Sequence, residues 1–317
     1  MTDTLLRTDT LLRMKLFVAV YEERSFTAAA VRENSTQSGV TQHVRKLEDQ
    51  YGVKLLLREV GNVVPTPAGE AYYRGCLEVL RAHEEVRLTI RDFGESLDGQ
   101  VLVGLTPTMT RGALAPALAR FKKEHPNVAV RIIDAYSDIV IDKVRAGELD
   151  FGIVPGFSSE VGLRSELFAR TPEFLVGGPQ SSLGLKHRAP VRLSTLGPLK
   201  LVVPSMLQVR RTYLERYLAA TGTVVAERME IDSSLAAVDF VSQTEWVSVH
   251  PGIAMMREIE NRQLIINPIV GPTLSLELFR IERARSPLSR PAIAFLEILK
   301  SGTDALSASA DLLNQEF

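Results

Sequence analysis

Residues 25–52 read SFTAAAVRENSTQSGVTQHVRKLEDQYG, and this stretch decides the fold of the N-terminal part. Ser25 is a good helix N-cap, and the Ala-rich run Phe26–Val31 behind it favours a short helix. Glu33–Gln37 is polar and reads as a turn. Helical spacing resumes with Val40, Val44 and Leu47, while Gln37, Ser38, Thr41, Gln42 and Arg45 fall on the other face. Gly52 ends that helix. The result is two helices around a short turn, the second carrying groups able to read base edges.

The flanks extend this pattern. Leu11–Glu22 is apolar at helical spacing and reads as a buried helix. Upstream, Thr2–Arg7 is repeated as Thr8–Arg13, which reads as a short frayed extension. Downstream, Leu55–Arg58 and Val63–Val64 flank Glu59–Asn62 as a small hairpin or wing. Thr66-Pro67-Ala68-Gly69 then opens a long helix, with Thr66 as N-cap and Pro67 in the first turn. Along it Tyr72, Cys76, Val79, His83, Val86, Ile90, Phe93 and Leu97 alternate steps of four and three, the spacing of a coiled-coil seam. The expectation is a helix that pairs two copies of the chain. The alternative is one amphipathic helix packed on its own domain.

Gly94–Gln100 reads as a linker, and beyond it strands and helices alternate. Val101–Leu105, Val128–Ile133 and Leu149–Val154 read as strands, with helices over Ala113–His125 and Ser137–Ala146 between them. That order implies a parallel sheet. A second set follows: strands Glu173–Gly177, Leu199–Val203 and Trp246–His250, and helices Val209–Thr221 and Ser234–Gln243. A last strand (Leu274–Ile281), a last helix (Pro291–Lys300) and a small, polar tail from Ser301 that reads as mobile close the chain. Two α/β lobes leave a cleft beyond the carboxyl ends of their strands, where open sheets bind ligands.

The 317 residues suit about two domains. Lys plus Arg is 37 against 38 for Asp plus Glu, which rules out a generally polybasic nucleic-acid binder but leaves room for a local patch. Arg45, Lys46, Lys54 and Arg58, set against Glu48 and Asp49, make that patch only modestly basic. Cys76 is the only cysteine, so no internal disulfide forms, and a reducing, cytoplasmic setting is expected. No apolar run reaches the ~18 residues of a membrane span, and the N-terminus does not read as a secretory signal. None of the five histidines pairs at i, i+4. No Gly-x-Ser-x-Gly, phosphate-binding loop or Gly-x-Gly-x-x-Gly is present. An enzyme, a metal site and a cofactor are therefore not expected.

Phe17–Val20, Ser25–Ala30, Val44–Glu48, Tyr51-Gly52, Arg58 and Thr66–Gly69 together resemble the LysR-type transcriptional regulators. The resemblance continues through Gly147-Glu148-Leu149-Asp150 and covers roughly residues 10–300. It implies a winged helix-turn-helix over 10–69 and a dimerisation helix over 70–98. It also implies an effector domain over 99–303 like the periplasmic binding proteins, with one lobe over 99–165 and 268–303 and the other over 166–267. It implies binding of double-stranded DNA as a homodimer or homotetramer, contact with RNA polymerase, and a small-molecule effector in the cleft.

The expected base contacts are Gln37, Ser38, Thr41 and Gln42, with Arg45, Lys46, Lys54 and Arg58 on phosphates. Family members often have Arg where Gln42 stands, and a turn valine where Ser35 stands, so the resemblance does not predict the operator sequence. Thr106-Pro107-Thr108 opens a helix after the first strand, where hydroxyls and amides suit an anion. The resemblance makes this the place for an effector carboxylate. Ser205 and Arg210 follow a second-lobe strand, and Arg210 or Arg211 can pair with a carboxylate. Asp232, Ser233 and Trp246 are further cleft candidates. The rival readings are a regulator that needs no ligand, a small-molecule binding module, and an enzyme on the same two-lobed fold.

Overall fold

A computed structural model describes residues 9–59, 62–91, 97–261 and 263–315. The chain divides into two compact units with the main boundary near residue 94.

The first unit contains α1 (Asp9–Glu23), α2 (Phe26–Arg32), α3 (Gln37–Tyr51), β1 (Leu56–Glu59), β2 (Asn62–Pro65) and α4 (Pro67–Arg91). The Ser25 cap is the one the sequence suggests, and Thr36 adds a second in the segment read as a turn. Ser25 Oγ accepts from the Ala28 amide, and Thr36 Oγ1 accepts from Gly39 at 3.1 Å. Gly52 closes α3 in the left-handed conformation, at φ 67°. The core gathers Phe17, Val18, Ala29, Val40, Val44, Leu47, Leu55, Val63 and Cys76. β1 and β2 pair antiparallel as the wing, whose tip residues Val60 and Gly61 lie outside the described residues.

The start of α4 is pinned against the wing. Thr66 Oγ1 donates to the Lys54 carbonyl at 2.7 Å and accepts from the Gly69 amide at 3.0 Å. A Cβ at position 69 would stand 2.0 Å from the Leu55 carbonyl oxygen, so only glycine fits there. The Tyr21 and Tyr73 rings stack at 3.9 Å, and Tyr73 donates to Glu22 at 2.9 Å, tying α4 to α1.

Two expectations change in this unit. α1 already begins at Asp9, so residues 9–13 of the repeat are helical rather than frayed; Thr2–Arg7 lies outside the described residues. The heptad stripe of α4 also divides. Tyr72 and Cys76 join this unit's core together with Tyr73 and Leu80, whereas Val79, Val86 and Ile90 are exposed. Phe93 lies outside the described residues, as do Gly94–Ser96 of the linker.

The second unit begins with β3 (Gly99–Leu105). α5 (Pro107–Met109) continues through a π turn (Thr110–Leu114) into α6 (Ala115–Glu124). Next come β4 (Val128–Asp134), α7 (Ser137–Ala146), β5 (Phe151–Pro155), β6 (Leu163–Gly177), β7 (Leu199–Val203), α8 (Val209–Thr221) and β8 (Val225–Glu230). The chain ends with α9 (Ser234–Ser242), β9 (Val247–Pro251), α10 (Gly252–Asn261), β10 (Ile265–Pro268), β11 (Ser275–Arg283) and α11 (Arg290–Gln315). The strands form one sheet in the order β4-β3-β5-β11-β6-β9-β7-β8, with β10 also on β6.

The sheet is mixed rather than parallel. β3 pairs parallel with β4 and β5, and β7 with β8 and β9, but β6 and β11 run antiparallel to their neighbours. The reason is topological. β6 leaves the first lobe to enter the second, and β11 returns to close the first. Gly147, at φ 79°, ends α7, and Asp150 accepts from the Leu102 amide at 2.7 Å, so the Gly-Glu-Leu-Asp run is a helix stop followed by a strand lock.

β8, β10 and α10 add to the elements the sequence suggests, and the helix expected at Ala113 begins at Pro107. The largest correction concerns the C-terminus. The segment from Ser301, expected to be a mobile tail, is helical through Gln315. α11 puts Phe295 and Leu299 in the core of the first lobe and Ala310 in the core of the second. It therefore braces both lobes.

Candidate nucleic-acid interface and ligand cleft

Val40, Val44 and Leu47 are buried, which fixes the opposite face of α3 outward. Gln37, Ser38, Gln42, Arg45 and Lys46 are exposed there. Thr41 is half-buried, and its hydroxyl oxygen is buried without a hydrogen-bond partner. Thr36 caps the N-terminus of α3 and approaches Ser38 Oγ at 3.3 Å, so the turn leads directly onto the polar face.

The wing is positioned by a carboxylate. Glu48 is buried, and its Oε1 accepts from the amides of Leu55 at 3.0 Å and Leu56 at 3.2 Å. Its Oε2 takes Lys54 Nζ at 2.8 Å. Burial alone would raise the Glu48 pKa. The Lys54, Leu56 and Leu55 donors outweigh it and hold the group below the usual carboxylate range. Lys54, expected on a phosphate, is thus already tied to Glu48. The exposed Arg58 lays its guanidinium 4.4 Å from the Phe26 ring centroid. That contact orients it beside α2.

The lobes enclose a cavity of about 620 Å³ at the carboxyl ends of β3, β4 and β8. The first lobe supplies Pro107, Thr110, Arg111, Asp134, Tyr136 and Ile139; the second supplies Asp232–Leu235. Thr110 Oγ1 donates to Asp134 at 2.7 Å. Arg111 donates to the Ala254 carbonyl and forms an ion pair with Glu258. Asp232 accepts from the Ser205 amide at 2.9 Å and from Gln208 Nε2 at 2.8 Å. Burial would raise the Asp232 pKa, but these donors outweigh it, and the group lies below its ordinary value. The Tyr136 pKa is raised, first by burial and then by the charge of Asp232.

Of the expected effector residues, Asp232 and Ser233 line this cavity. Thr106 and Thr108 are buried and do not. Ser205 does not line the cavity; its backbone N–H donates to Asp232, which does. Arg210 is corrected most sharply. It makes a bidentate pair with buried Glu173, the closest contact 2.9 Å, and donates to the Val249 carbonyl, so its charge is satisfied inside the second lobe. Arg211 is likewise paired, with Glu215 at 2.8 Å. Trp246 packs on Phe240 at the edge of the second-lobe core. Sequence reasoning missed Arg111, Asp134 and Tyr136. Asp134 could have been found as the last residue of a strand pointing to the switch region.

A family model described as the LysR substrate binding domain matches residues 94–304, and one described as the bacterial regulatory helix-turn-helix protein, lysR family, matches 11–70. The chain belongs to the LysR family. This LysR-family protein is a DNA-binding transcriptional regulator with an effector-binding domain. It is 28% identical over 302 residues to the uncharacterized HTH-type transcriptional regulator YfeR of Shigella flexneri, covering 94% of this chain and 96% of the relative. Among solved structures it resembles an H2O2-bound cysteine-to-serine mutant of Corynebacterium glutamicum OxyR, with a TM-score of 0.60 and 20% identity, covering 98% and 100% of the two chains. It also resembles full-length CbnR complexed with its target DNA, with a TM-score of 0.53 and 21% identity, covering 92% and 99%. Among the described residues no helix is long and apolar enough to cross a membrane.

Proposed function

We propose that this regulator lays the Gln37, Ser38, Thr41 and Gln42 face of α3 in the major groove of an upstream site, with Arg45, Lys46, Lys54 and Arg58 toward phosphates. A small metabolite in the inter-lobe cleft then shifts the assembly between shapes that bend DNA differently. One observation carries the DNA reading: burial of Val40, Val44 and Leu47 leaves α3 with a single, uninterrupted polar face beside the wing. Lys54, already paired with Glu48, is the weakest phosphate ligand of the set.

The exposed Val79, Val86 and Ile90 of α4 support homodimerisation through that helix, with a homotetramer as the expected complete form. The same reading puts the protein in the cytoplasm, with RNA polymerase among its partners. A carboxylate on the effector would meet the start of α9, where Ser234 and Leu235 line the cavity, rather than Thr106 or Arg210.

The test is capture of sheared genomic fragments by the purified full chain at near-physiological salt, followed by sequencing. Enrichment of a few upstream sites is expected, and recovery no better than bulk DNA overturns the reading. On a captured site, Gln37→Ala lowers discrimination against a scrambled duplex by about 1–3 kcal/mol. Lys46→Ala weakens both duplexes alike and reduces the salt slope by about one. Identical profiles for the two variants would contradict the assigned roles.

A further inference from the structure

The charged groups of the cleft do not suit a simple anion. Its lining carries two carboxylates, Asp134 from the first lobe and Asp232 from the second, against one guanidinium, Arg111. Arg111 is already engaged by Glu258 and the Ala254 carbonyl. The hydrogen-bond donors on the two aspartates are neutral: the Thr110 hydroxyl on Asp134, and the Ser205 amide, the Gln208 side-chain amide and the Tyr136 hydroxyl on Asp232. Neutral donors do not cancel the charge of a carboxylate. The cavity therefore has a surplus of negative charge, shared between its two walls.

We infer that the effector carries a protonated amine, held by Asp134 and Asp232 together. This rests on the effector-cleft reading above and names the ligand chemistry of that cleft. A metal ion is the poorer occupant, because among the described residues no group of three or more His, Cys, Asp or Glu side chains is placed to hold one. Pro107, Ile139 and Leu235 line the same cavity, and Ile139 and Leu235 are exposed, which suits an alkyl or aryl body behind the amine. About 620 Å³ fits a small metabolite. A cation bound by an acid from each lobe also couples the lobes, so ligand chemistry and switching share one contact.

The test uses thermal unfolding of the full chain with matched sets of compounds. Each set is an amino acid, its decarboxylated amine and its deaminated acid: leucine, isoamylamine and 4-methylpentanoate; phenylalanine, phenethylamine and 3-phenylpropanoate; and further sets with polar bodies. The expected result is an upward midpoint shift from amine-bearing members and none from the deaminated acids. Asp134→Asn and Asp232→Asn each raise the apparent Kd of the best amine about tenfold or more. Asp134 is exposed, so its variant keeps the test valid if the Asp232 variant folds poorly. A shift from acids lacking an amine, an unchanged Kd in Asp134→Asn, or no shift from any amine overturns the inference. Capture of upstream DNA without any amine response would leave the regulator reading standing and remove this one; an amine response without DNA capture would do the reverse.

Discussion

Glu48 offers a direct test of how the wing is held. The residue is 7% exposed, and its side chain supplies the acceptor for two amides, Leu55 and Leu56, at the start of β1. Glu48→Ala leaves both amides without that acceptor. Each unsatisfied buried donor costs about 1–3 kcal/mol, so the pair costs about 2–6 kcal/mol. The Lys54 contact adds little, because the Lys54 side chain is 67% exposed and an exposed ion pair contributes about 0–1 kcal/mol. For a unit of this size a loss of about 2 kcal/mol lowers the unfolding midpoint by about 8 °C or more. Glu48→Gln keeps the acceptor oxygen for the two amides but loses the charge and the acceptor for Lys54, at about 1 kcal/mol.

The assay is calorimetry of the full chain, following the transition of the first unit, with hydrogen exchange at Leu55 and Leu56. The pH dependence has a definite sign. The folded pKa lies below the ordinary value near 4.5, so the stabilisation is present above that value and lost as pH falls below it. A Glu48→Ala protein within about 0.5 kcal/mol of the parent, with both amides still protected, would refute the reasoning.

Further outcomes follow from other buried groups. Arg210→Ala strands buried Glu173 and is expected to cost about 3–5 kcal/mol, a structural loss with or without ligand; a variant of native stability that has lost only its effector response would instead return Arg210 to the ligand site. His250 is buried and its pKa is pushed down to about 3, chiefly by burial and then by Arg210 and Arg111. Because the unfolded chain gains its proton near pH 6.5, stability falls by up to about 1.4 kcal/mol per pH unit between there and pH 3. Denaturant midpoints of His250→Leu should show that slope reduced by one proton, and an unchanged slope would count against it. Ala310→Leu overpacks the contact of α11 with α10, where a Cβ on Gly252 would already stand 2.8 Å from the Ala310 Cβ. A destabilisation of about 1–3 kcal/mol is expected by chemical unfolding, whereas a mobile tail would tolerate the change freely.

Features that depend on neighbours along the chain were legible before the fold was known. The caps at Ser25 and Thr66, the apolar spacing of Val40, Val44 and Leu47, and the stop at Gly52 are local, so the helix-turn-helix and wing are legible without the fold. So are β7 and α8 of the second lobe, bounded by ordinary strand and helix signals. Features that depend on distant partners were settled by long-range packing. Whether Arg210 is free or paired depends on Glu173, which comes from another strand. Which carboxylates share a cavity depends on β4 and β8 ending on the same side of two different lobes. The small residues after Ser301 have little local drive to stay helical, and packing of Ala310 against α10 holds them so. The seam of α4 shows both rules in one helix. Its period is written in the sequence, but only packing against Phe17 and its neighbours decides that Tyr72 and Cys76 join their own unit's core while Val79, Val86 and Ile90 remain exposed.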